Sequence, residues 1–396
     1  MDAFDHKLES IKQLLGSQTR QNWLFGAGIS CDSKIPLMYP LTKRVEKIIN
    51  DGEKETEKVV LSLIKADLPD DCHVEHYLSH LGDLLAISER SKTKTACIGG
   101  KTYPTDQLKS LYKEIITAIG EIIRYGYVHP DPKKGIKEEV GTSERPIVEI
   151  TRHYEFIEAL LLNQTDLERR FNINFFTTNY DTLLEDSLAL HKKIVCDGFL
   201  GGSVAFWSGD TALSEPSSDT NVYHLYKLHG SIDWHKDDRW GLVRARYGTT
   251  YLSSPDSIMI YPQATKYVET QKDPFASLFL GLRKALTIRQ QNTLITCGYS
   301  FGDEHINSEI ESALRNDRSQ TTVIAFVKEV PKNDVVINKT LDSWLRCPKI
   351  GARVYVAGEL GIYHASTTPL AESAGCEYRW WRFDGLTQFI KTGEPQ

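Results

Sequence analysis

Four short segments of this chain each follow a short apolar run and combine glycine with polar side chains. They are GAGIS at 26–30, TTNYD at 177–181, KLHGS at 227–231 and GYSFGD at 298–303. In an open parallel sheet, the carboxyl ends of the strands line the crevice in which nucleotides bind. The four segments together therefore predict one nucleotide pocket.

The first segment has the composition of a phosphate-binding turn. Gly26 and Gly28, separated by Ala27, allow backbone amides to approach a pyrophosphate, and the helix that follows turns its positive end towards the anion. Ser30 and Asp32 are then expected close to the same phosphates or to a ribose. A plain tight turn is the competing interpretation, because glycine is also the usual residue of such turns.

Asn179 and His229 are the candidates for chemistry. The Asn179 carboxamide follows a strand, where it can donate and accept hydrogen bonds with a ribose or an ordered water, and Thr178 is expected to line the same cavity. The competing interpretation makes Asn179 the N-cap of the next helix, a position for which Asp181 is equally suited. His229 precedes Gly230 at another strand end, where an imidazole can titrate near neutral pH.

A serine hydrolase is a rival interpretation of the last segment. Residues 298–302 match the G-x-S-x-G elbow, and Ser300, Asp342 and His364 follow in the order Ser, Asp, His. The elbow normally lies inside its sheet, however, with several strands after it, and little chain follows Gly302. This interpretation also leaves the other three segments unexplained.

Two clusters contain metal-ligand residue types, CHVEH at 72–76 and DEH at 303–305. Each coincides with the start of a predicted helix, and acidic residues favour the first turn of a helix electrostatically. Neither has a second group of ligands at a recognised spacing. We therefore expect no metal.

Apolar periodicity alternates strands with helices along most of the chain. This alternation predicts an α/β fold class, a Rossmann-like parallel sheet with helices on both faces. The predicted strands are 23–25, 173–176, 222–228, 293–297, 322–327, 353–356 and 378–383, and the helices between them include 182–190, 274–290 and 303–315. The predicted domains are 1–52 and 171–330 for the Rossmann-like domain, 53–170 for a helical insertion, and 331–396 for a C-terminal extension packed on the sheet.

Composition bounds the class of protein. The 396 residues are 40% hydrophobic and carry a net charge of −6, which suits a globular protein without general attraction to nucleic-acid backbones. The first residues lack the pattern of a signal peptide, and no segment approaches a membrane span. Seven cysteines without a CxxC pair suit reduced thiols. We expect a cytoplasmic protein that contacts neither membrane nor nucleic acid.

With these motifs in this order, the chain resembles the sirtuin-like family of NAD-binding domains. GAGIS is similar to the family's GAGxS, TNYD to its TQNxD, His229-Gly230 to its catalytic histidine and glycine, and Gly298-Tyr299-Ser300 to the GTS on the adenosine side. The resemblance implies that Asn179 and His229 are catalytic. The nucleotide-binding residues that it implies are Gly26, Ala27, Gly28, Ser30, Asp32, Thr178, Asp181, Gly298, Ser300 and Asp303.

The chain departs from the protein deacylases of that family. Deacylases carry Phe-Arg after the loop proline, Gln before the Asn, and four zinc cysteines after the His-Gly. Here Leu37-Met38 follow Pro36, Thr178 precedes Asn179, and no cysteine lies between residues 231 and 296. Deacylation and a zinc module are therefore not expected.

TTNYD, KLHGS and GYSFGDEHIN look instead like the bacterial antiviral branch, above all the sirtuin-like subunit that works with a HerA-type ATPase. That resemblance implies an NAD glycohydrolase that takes NAD as its substrate and depletes it on infection. It also implies a homo-oligomer regulated by the ATPase partner. The alternatives are a non-catalytic NAD or ADP-ribose sensor and, with Ser300 as nucleophile, a serine hydrolase.

Overall fold

The computed structural model describes residues 3–16, 20–162, 173–214, 222–246, 273–330, 337–373 and 375–395, together with the backbone of 258–260. The strands of its main sheet are β1 (Arg20–Phe25), β6 (Ile173–Thr177), β7 (Ile194–Cys196), β10 (Val222–Lys227), β14 (Gln291–Cys297), β15 (Gln320–Phe326), β16 (Val354–Gly358) and β17 (Gly361–His364). They lie in the order β17-β16-β15-β14-β1-β6-β10-β7, all parallel except the β16–β17 pair. The predicted parallel sheet is confirmed.

Both faces of this sheet are apolar and covered by helices. On β1, Trp23 and Phe25 enter one core and Leu24 enters the other, as the two-residue period of a strand requires. The first core includes α1 (Ala3–Gly16), α6 (Thr151–Leu162), α7 (Leu183–Leu190) and α12 (Phe383–Thr392). The second includes α9 (Phe275–Leu286), α10 (Glu304–Arg315) and α11 (Lys339–Arg346). This is the Rossmann-like, doubly wound arrangement.

A helical layer with its own core follows the glycine segment. Its elements are α2 (Met38–Asp51), α3 (Glu55–Asp67), α4 (Val74–Arg90), α5 (Thr105–Tyr125) and the hairpins β2 (Thr95–Ile98)–β3 (Lys101–Pro104) and β4 (Tyr127–Val128)–β5 (Glu139–Val140). Tyr180, from the loop after β6, and Leu183, at the start of α7, reach into this core. The layer therefore packs directly on a candidate functional loop.

A small antiparallel sheet contains the strand that begins directly after His229. Its strands are β8 (Phe199–Gly201), β9 (Val204–Trp207), β11 (Gly230–Asp237), β12 (Gly241–Ala245) and β13 (Ile258–Ile260), in the order β13-β11-β12-β9-β8, with the short helix α8 (Gly209–Ala212) beside them. Among the described residues, no group of three or more His, Cys, Asp and Glu side chains is arranged to hold a metal ion. Nor does the described part of the chain contain a helix long and apolar enough to cross a membrane.

One local prediction is wrong. The strand predicted at 378–383 is absent from the described residues, because Tyr378 and Trp380 pack as buried aromatic side chains and α12 begins at Phe383. The helix predicted after the glycine segment is present as α2, and the 3₁₀ helix Ala27–Ser33 lies between that segment and α2. The domain boundaries stay a prediction, although α6, which the sequence placed in the insertion, packs on α7 and α12.

Candidate active site

The carboxyl ends of four neighbouring strands bring the predicted segments together. In the register of the sheet, Phe25 of β1 lies opposite Cys297 of β14 and Thr177 of β6, and Thr177 lies opposite Lys227 of β10. All four segments therefore leave the sheet at one level along one edge. This is the edge at which open α/β sheets bind nucleotides.

The two glycine-containing segments are in backbone contact. The Gly26 N–H donates to the Cys297 carbonyl at 3.2 Å, and the Gly28 N–H donates to the Gly298 carbonyl at 3.0 Å. A Cβ on Gly28 would lie 2.6 Å from the Cα of Gly298, which itself has a φ of +65°. The glycines thus allow the two loops to touch. The N–H groups of Gly26 and Gly28, which were expected to face a phosphate, donate to carbonyl groups of the protein. Their part in nucleotide binding stays a prediction.

A cavity of about 1190 Å³ opens beside this contact, and we call it the basic cavity. Gly28, Gly298 and Ser300 line it, whereas Ala27 is exposed nearby. Its charged lining side chains are Asp32, Lys134, Lys328, Lys339 and Arg382. With four cations and one carboxylate, the cavity suits an anionic ligand such as a phosphate ester.

Ser30, Asn179 and Asp181 form a buried hydrogen-bond network behind the glycine contact. Ser30 Oγ donates to Asp181 Oδ2 at 2.8 Å and accepts from Asn179 Nδ2 at 3.0 Å. Asn179 is 7% exposed, and its Oδ1 has no hydrogen-bond partner among the described residues. Because a buried acceptor without a partner is costly, this oxygen is the atom of the network best placed to gain from a ligand or a water.

The capping interpretation of Asn179 is not what the structure shows. Helix α7 begins at Leu183, and Asp181 Oδ1 accepts from the Leu183 N–H at 3.1 Å. Thr178 ties the same loop to β1, because its N–H donates to the Phe25 carbonyl at 3.0 Å. Asp181 therefore makes the cap-like bond, and the Asn179 side chain is directed to Ser30.

His229 is paired with Asp303. Its Nε2 lies 2.7 Å from Asp303 Oδ2, and both side chains are buried. Asp303 Oδ1 accepts from the backbone N–H groups of His305 and Ile306, so Asp303 is also the N-cap of α10. One carboxylate thus begins a helix and orients an imidazole. When Asp303 accepts from Nε2–H, Nδ1 keeps the lone pair that a base needs.

His153 is a member of this site that the sequence did not predict. Its Nδ1 lies 3.2 Å from Ser33 Oγ and its Nε2 lies 3.5 Å from Ser30 Oγ. Burial lowers the pKa of His153 to about 4, against a smaller opposing effect of Asp181. A neutral imidazole therefore supports Ser30 from α6. The only signal was a histidine on the apolar face of a helix, which in sequence resembles core packing.

Lys227 and Glu185 form a buried ion pair beneath the loop. Lys227 Nζ lies 2.8 Å from Glu185 Oε1, and the side chains are 1% and 6% exposed. Burial raises the pKa of Glu185 to about 7. Burial alone would lower the pKa of Lys227, but the neighbouring carboxylates outweigh it and raise that pKa. The sequence placed Lys227 in a motif but assigned it no role.

A second cavity, of about 980 Å³, touches the same network from Asp181, and we call it the acidic cavity. Its charged lining side chains are Glu121, Arg124, Asp181, Asp186, Asp233 and Arg246. Carboxylates outnumber cations here, the reverse of the basic cavity. Asn179 and His229 line neither cavity, because both lie buried in the wall of protein beside them.

The rival chemistries are not assembled. Ser300 Oγ accepts from the Gly302 N–H at 3.3 Å, Asp342 pairs with Arg346 at 2.8 Å, and His364 Nδ1 bonds to a carbonyl of β16 at 3.1 Å. None of these contacts joins the three residues of a hydrolase triad.

The metal-like cluster at 72–76 has structural contacts instead. His76 Nδ1 accepts from the His73 N–H at 3.1 Å at the start of α4, and Glu75 Oε1 accepts from Tyr180 OH at 2.6 Å. The second of these bonds joins the helical layer to the loop that carries Asn179. The cluster therefore begins a helix and anchors a functional loop.

A doubly wound sheet with its candidate residues at the carboxyl edge has the architecture in which open α/β proteins bind their ligands. Within that class, residues 173–345 match the family described as SIR2-like domain. This part of the chain, which begins with β6 and contains Asn179, His229 and Gly298, is thus similar to a sirtuin-like domain. SIR2-like domains bind NAD, and the match fits an NAD-dependent class of enzyme. The search of curated proteins found no match to the chain.

Proposed function

We propose that the protein is an NAD glycohydrolase that cleaves NAD to nicotinamide and ADP-ribose. The observation that carries the proposal is the convergence of Asn179 and His229 from the adjacent strands β6 and β10, behind a cavity lined by Gly28 and four cationic side chains. Cleavage of the glycosidic bond needs a held ribose, an oriented leaving ring and an admitted water. The site has candidate groups to hold the ribose and to activate the water.

The reaction breaks the bond between ribose C1′ and the nicotinamide nitrogen, and both electrons leave with nicotinamide. Positive charge then develops on the ribose, and a water adds to C1′ and loses a proton. His229 Nδ1 takes that proton, from the water or from a ribose hydroxyl, and Asp303 stabilises the imidazolium through Nε2. The ionised Asp303 carboxylate also fixes the tautomer that makes Nδ1 the base.

Asn179 would position the ribose or the attacking water. Its Nδ2 is bound to Ser30, so its unpartnered Oδ1 is the atom that can accept a hydrogen bond from a hydroxyl group. Asp181, bound to the same serine, supplies negative charge near the developing cation. The protein's part of the mechanism is thus positioning and electrostatics, with one proton transfer.

We propose further that this activity is restrained until a partner releases it, as in an antiphage effector regulated by a HerA-type ATPase. The support is that Asn179 and His229 are 7% and 4% exposed, so a ribose reaches them only after the surrounding wall moves. Homo-oligomerisation and a cytoplasmic location belong to the same proposal. The resemblance of TTNYD and KLHGS to the antiviral branch supports it as well.

The test follows NAD and nicotinamide by chromatography, with and without the ATPase partner. We expect Asn179→Ala and His229→Ala to lower the rate about 100- to 10,000-fold, the range for loss of a positioning hydrogen bond or a general base. Asn50→Ala and His6→Ala, at exposed positions on α2 and α1, are the matched controls and should keep the parent rate. A parent protein that consumes no NAD in either condition refutes the proposal.

One observation favours a second function, a sensor that holds NAD or ADP-ribose without turnover. Neither Asn179 nor His229 lines either of the two cavities described above, whereas the basic cavity is open to a ligand. Calorimetric titration with ADP-ribose and NAD separates the two functions. Tight binding of NAD without release of nicotinamide, with or without the partner, favours the sensor.

A further inference from the structure

The ammonium group of Lys227 is buried at the end of β10, two residues before His229. The residue is 1% exposed, and Nζ has three acceptors within reach. It donates to Glu185 Oε1 at 2.8 Å, to the Tyr180 carbonyl at 3.5 Å and to the Asp181 carbonyl. Because an ammonium has three N–H donors, these acceptors use all of them.

Two of the three acceptors are main-chain atoms of the loop that carries Asn179. The Tyr180 carbonyl also accepts from the Ile232 N–H at 3.0 Å and from Ser231 Oγ at 3.3 Å. The Asn179 side chain is held separately, by Ser30. The loop is therefore fixed through its side chains by the glycine segment and through its main chain by β10 and β11.

Charge balance alone does not account for this arrangement. Glu185 neutralises Lys227 with a single hydrogen bond, and a pair of apolar side chains of similar volume often replaces a buried ion pair without loss of stability. Apolar side chains cannot donate to either carbonyl group, and buried carbonyls need donors. The Tyr180 carbonyl would keep the Ile232 N–H and Ser231 Oγ, whereas the Asp181 carbonyl would lose its bond from Lys227 Nζ. The carbonyl contacts are thus what an apolar replacement would remove.

We infer that Lys227 is a positioning residue, whose ammonium fixes the Tyr180 and Asp181 carbonyls and thereby the side chains of Asn179 and Asp181. Its effect on rate rests on the proposed NAD hydrolysis. Its effect on the loop does not. All three N–H donors of Lys227 are engaged by protein acceptors, so it acts through the residues that it holds.

The experiment compares three variants of the full chain, Lys227→Met, Glu185→Met and the double variant. The single Lys227→Met strands a buried carboxylate and lowers Tm. In the double variant Tm returns to within about 3 °C of the parent, because both charges are gone. We expect kcat for NAD to stay about 10- to 100-fold below the parent in the double variant, with little change in KM, because misplaced groups fail in the transition state. Recovery of both Tm and kcat in the double variant overturns the inference.

Hydrogen exchange gives a readout that needs no catalysis. In the free protein, amides of residues 178–183 should exchange about 10-fold faster in the double variant than in the parent, whereas β1 amides should keep the parent rate. Unchanged exchange at 178–183 overturns the inference whatever the activity is. A parent without NAD hydrolysis, combined with faster exchange in the variant, refutes the proposed function and upholds the positioning role.

Discussion

The basic and acidic cavities differ in how their charge is built. The basic cavity combines glycine backbone with long side chains, of which Lys328 is half exposed and paired loosely with Glu359 at 3.8 Å. The acidic cavity uses short carboxylates, of which Asp181 and Asp233 are only 7% and 3% exposed. Long exposed cations attract at a distance and adapt, whereas buried carboxylates act at one fixed point. The basic cavity is therefore suited to capture a ligand, and the acidic cavity is suited to hold one charge in place.

NAD carries a related asymmetry, with negative phosphates at its centre and a positive pyridinium at one end. The hydrogen bond from Ser30 to Asp181 links the walls of the two cavities, because residues 28, 31 and 32 line the basic one and Asp181 lines the acidic one. A dinucleotide spanning both would place its glycosidic bond near Ser30 and Asn179. The comparison thus supports the proposed cleavage site by charge as well as by motif.

The largest expected effect comes from Gly28→Ala, which breaks the wall of the basic cavity. The new Cβ would lie 2.6 Å from the Gly298 Cα and 3.1 Å from its carbonyl oxygen, so the two loops must separate. We expect a loss of about 1–3 kcal/mol in the free energy of unfolding, the usual cost of overpacking, and loss of ADP-ribose binding. Denaturant unfolding and calorimetric titration measure the two effects.

Gly82→Ala is the control for that variant. Gly82 lies within α4 with nothing inside 4 Å of its added Cβ, so alanine should stabilise the protein by about 0.5–1 kcal/mol. Gly28→Ala that binds ADP-ribose like the parent would show that the glycine contact is not part of the ligand site.

The next largest effect separates the two roles of Asp303. Asn is as good an N-cap as Asp, so Asp303→Asn should keep Tm close to the parent while it removes the charge that orients His229. We expect the NAD cleavage rate to fall about 10- to 100-fold, part of the factor that a general base contributes. Asp303→Ala should lose the same rate and also about 1 kcal/mol of stability. Equal rates for Asp303→Asn and the parent would remove Asp303 from the mechanism.

Much of this site follows from local sequence. An apolar run that ends in glycine or a polar side chain marks a strand and its carboxyl end, so GAGIS, TTNYD, KLHGS and GYSFGD could be placed on one sheet edge before any contact was known. The four segments share one edge if the strands are parallel, and the alternation of strands with helices predicts parallel strands. The fold class was therefore predictable.

The partners of the candidate residues were not predictable in the same way. His229 and Asp303 are 74 positions apart, and His153 and Ser30 are 123 apart, so only the tertiary packing brings each pair together. The sequence around Asp303 is typical of a helix N-cap, and Asp303 is one. That local pattern does not predict that its second carboxylate oxygen contacts His229. The predicted strand at 378–383 failed because Trp380 is buried by packing without strand pairing. Local sequence patterns cannot distinguish a side chain that is buried by packing alone from one in a hydrogen-bonded strand.

A smaller effect tests the charge of the cavities directly. Lys328→Glu should weaken ADP-ribose binding about 3- to 10-fold at low salt, because a half-exposed cation acts on phosphates mainly through long-range attraction. Raising ionic strength should shrink that difference. Glu121→Lys, at an exposed position of the acidic cavity, is the matched control and should change affinity less than about 2-fold. Equal effects of the two variants would mean that ADP-ribose does not distinguish the cavities.

The smallest effect in the parent is its change of stability with pH, because two buried groups oppose each other. Burial lowers the pKa of His153 to about 4, below its unfolded value of 6.5. Its contribution to the free energy of unfolding is therefore present above pH 6.5 and is lost as the pH falls towards 4. Burial raises the pKa of Glu185 to about 7; Lys227 opposes this rise, and the nearby Asp233 and Asp186 add to it. The contribution of Glu185 to the free energy of unfolding is therefore present below pH 4.5 and is lost as the pH rises through 7.

Between pH 4.5 and 6.5 the two slopes have opposite signs, and single variants should expose each one. His153→Gln removes the slope due to the imidazole, so stability should fall as pH rises across this range. Glu185→Gln removes the slope due to the carboxyl group, so stability should rise with pH. Urea unfolding at pH 5, 6 and 7 measures both. Slopes of the same sign in the two variants would contradict the assignment of a neutral His153 and a protonatable Glu185.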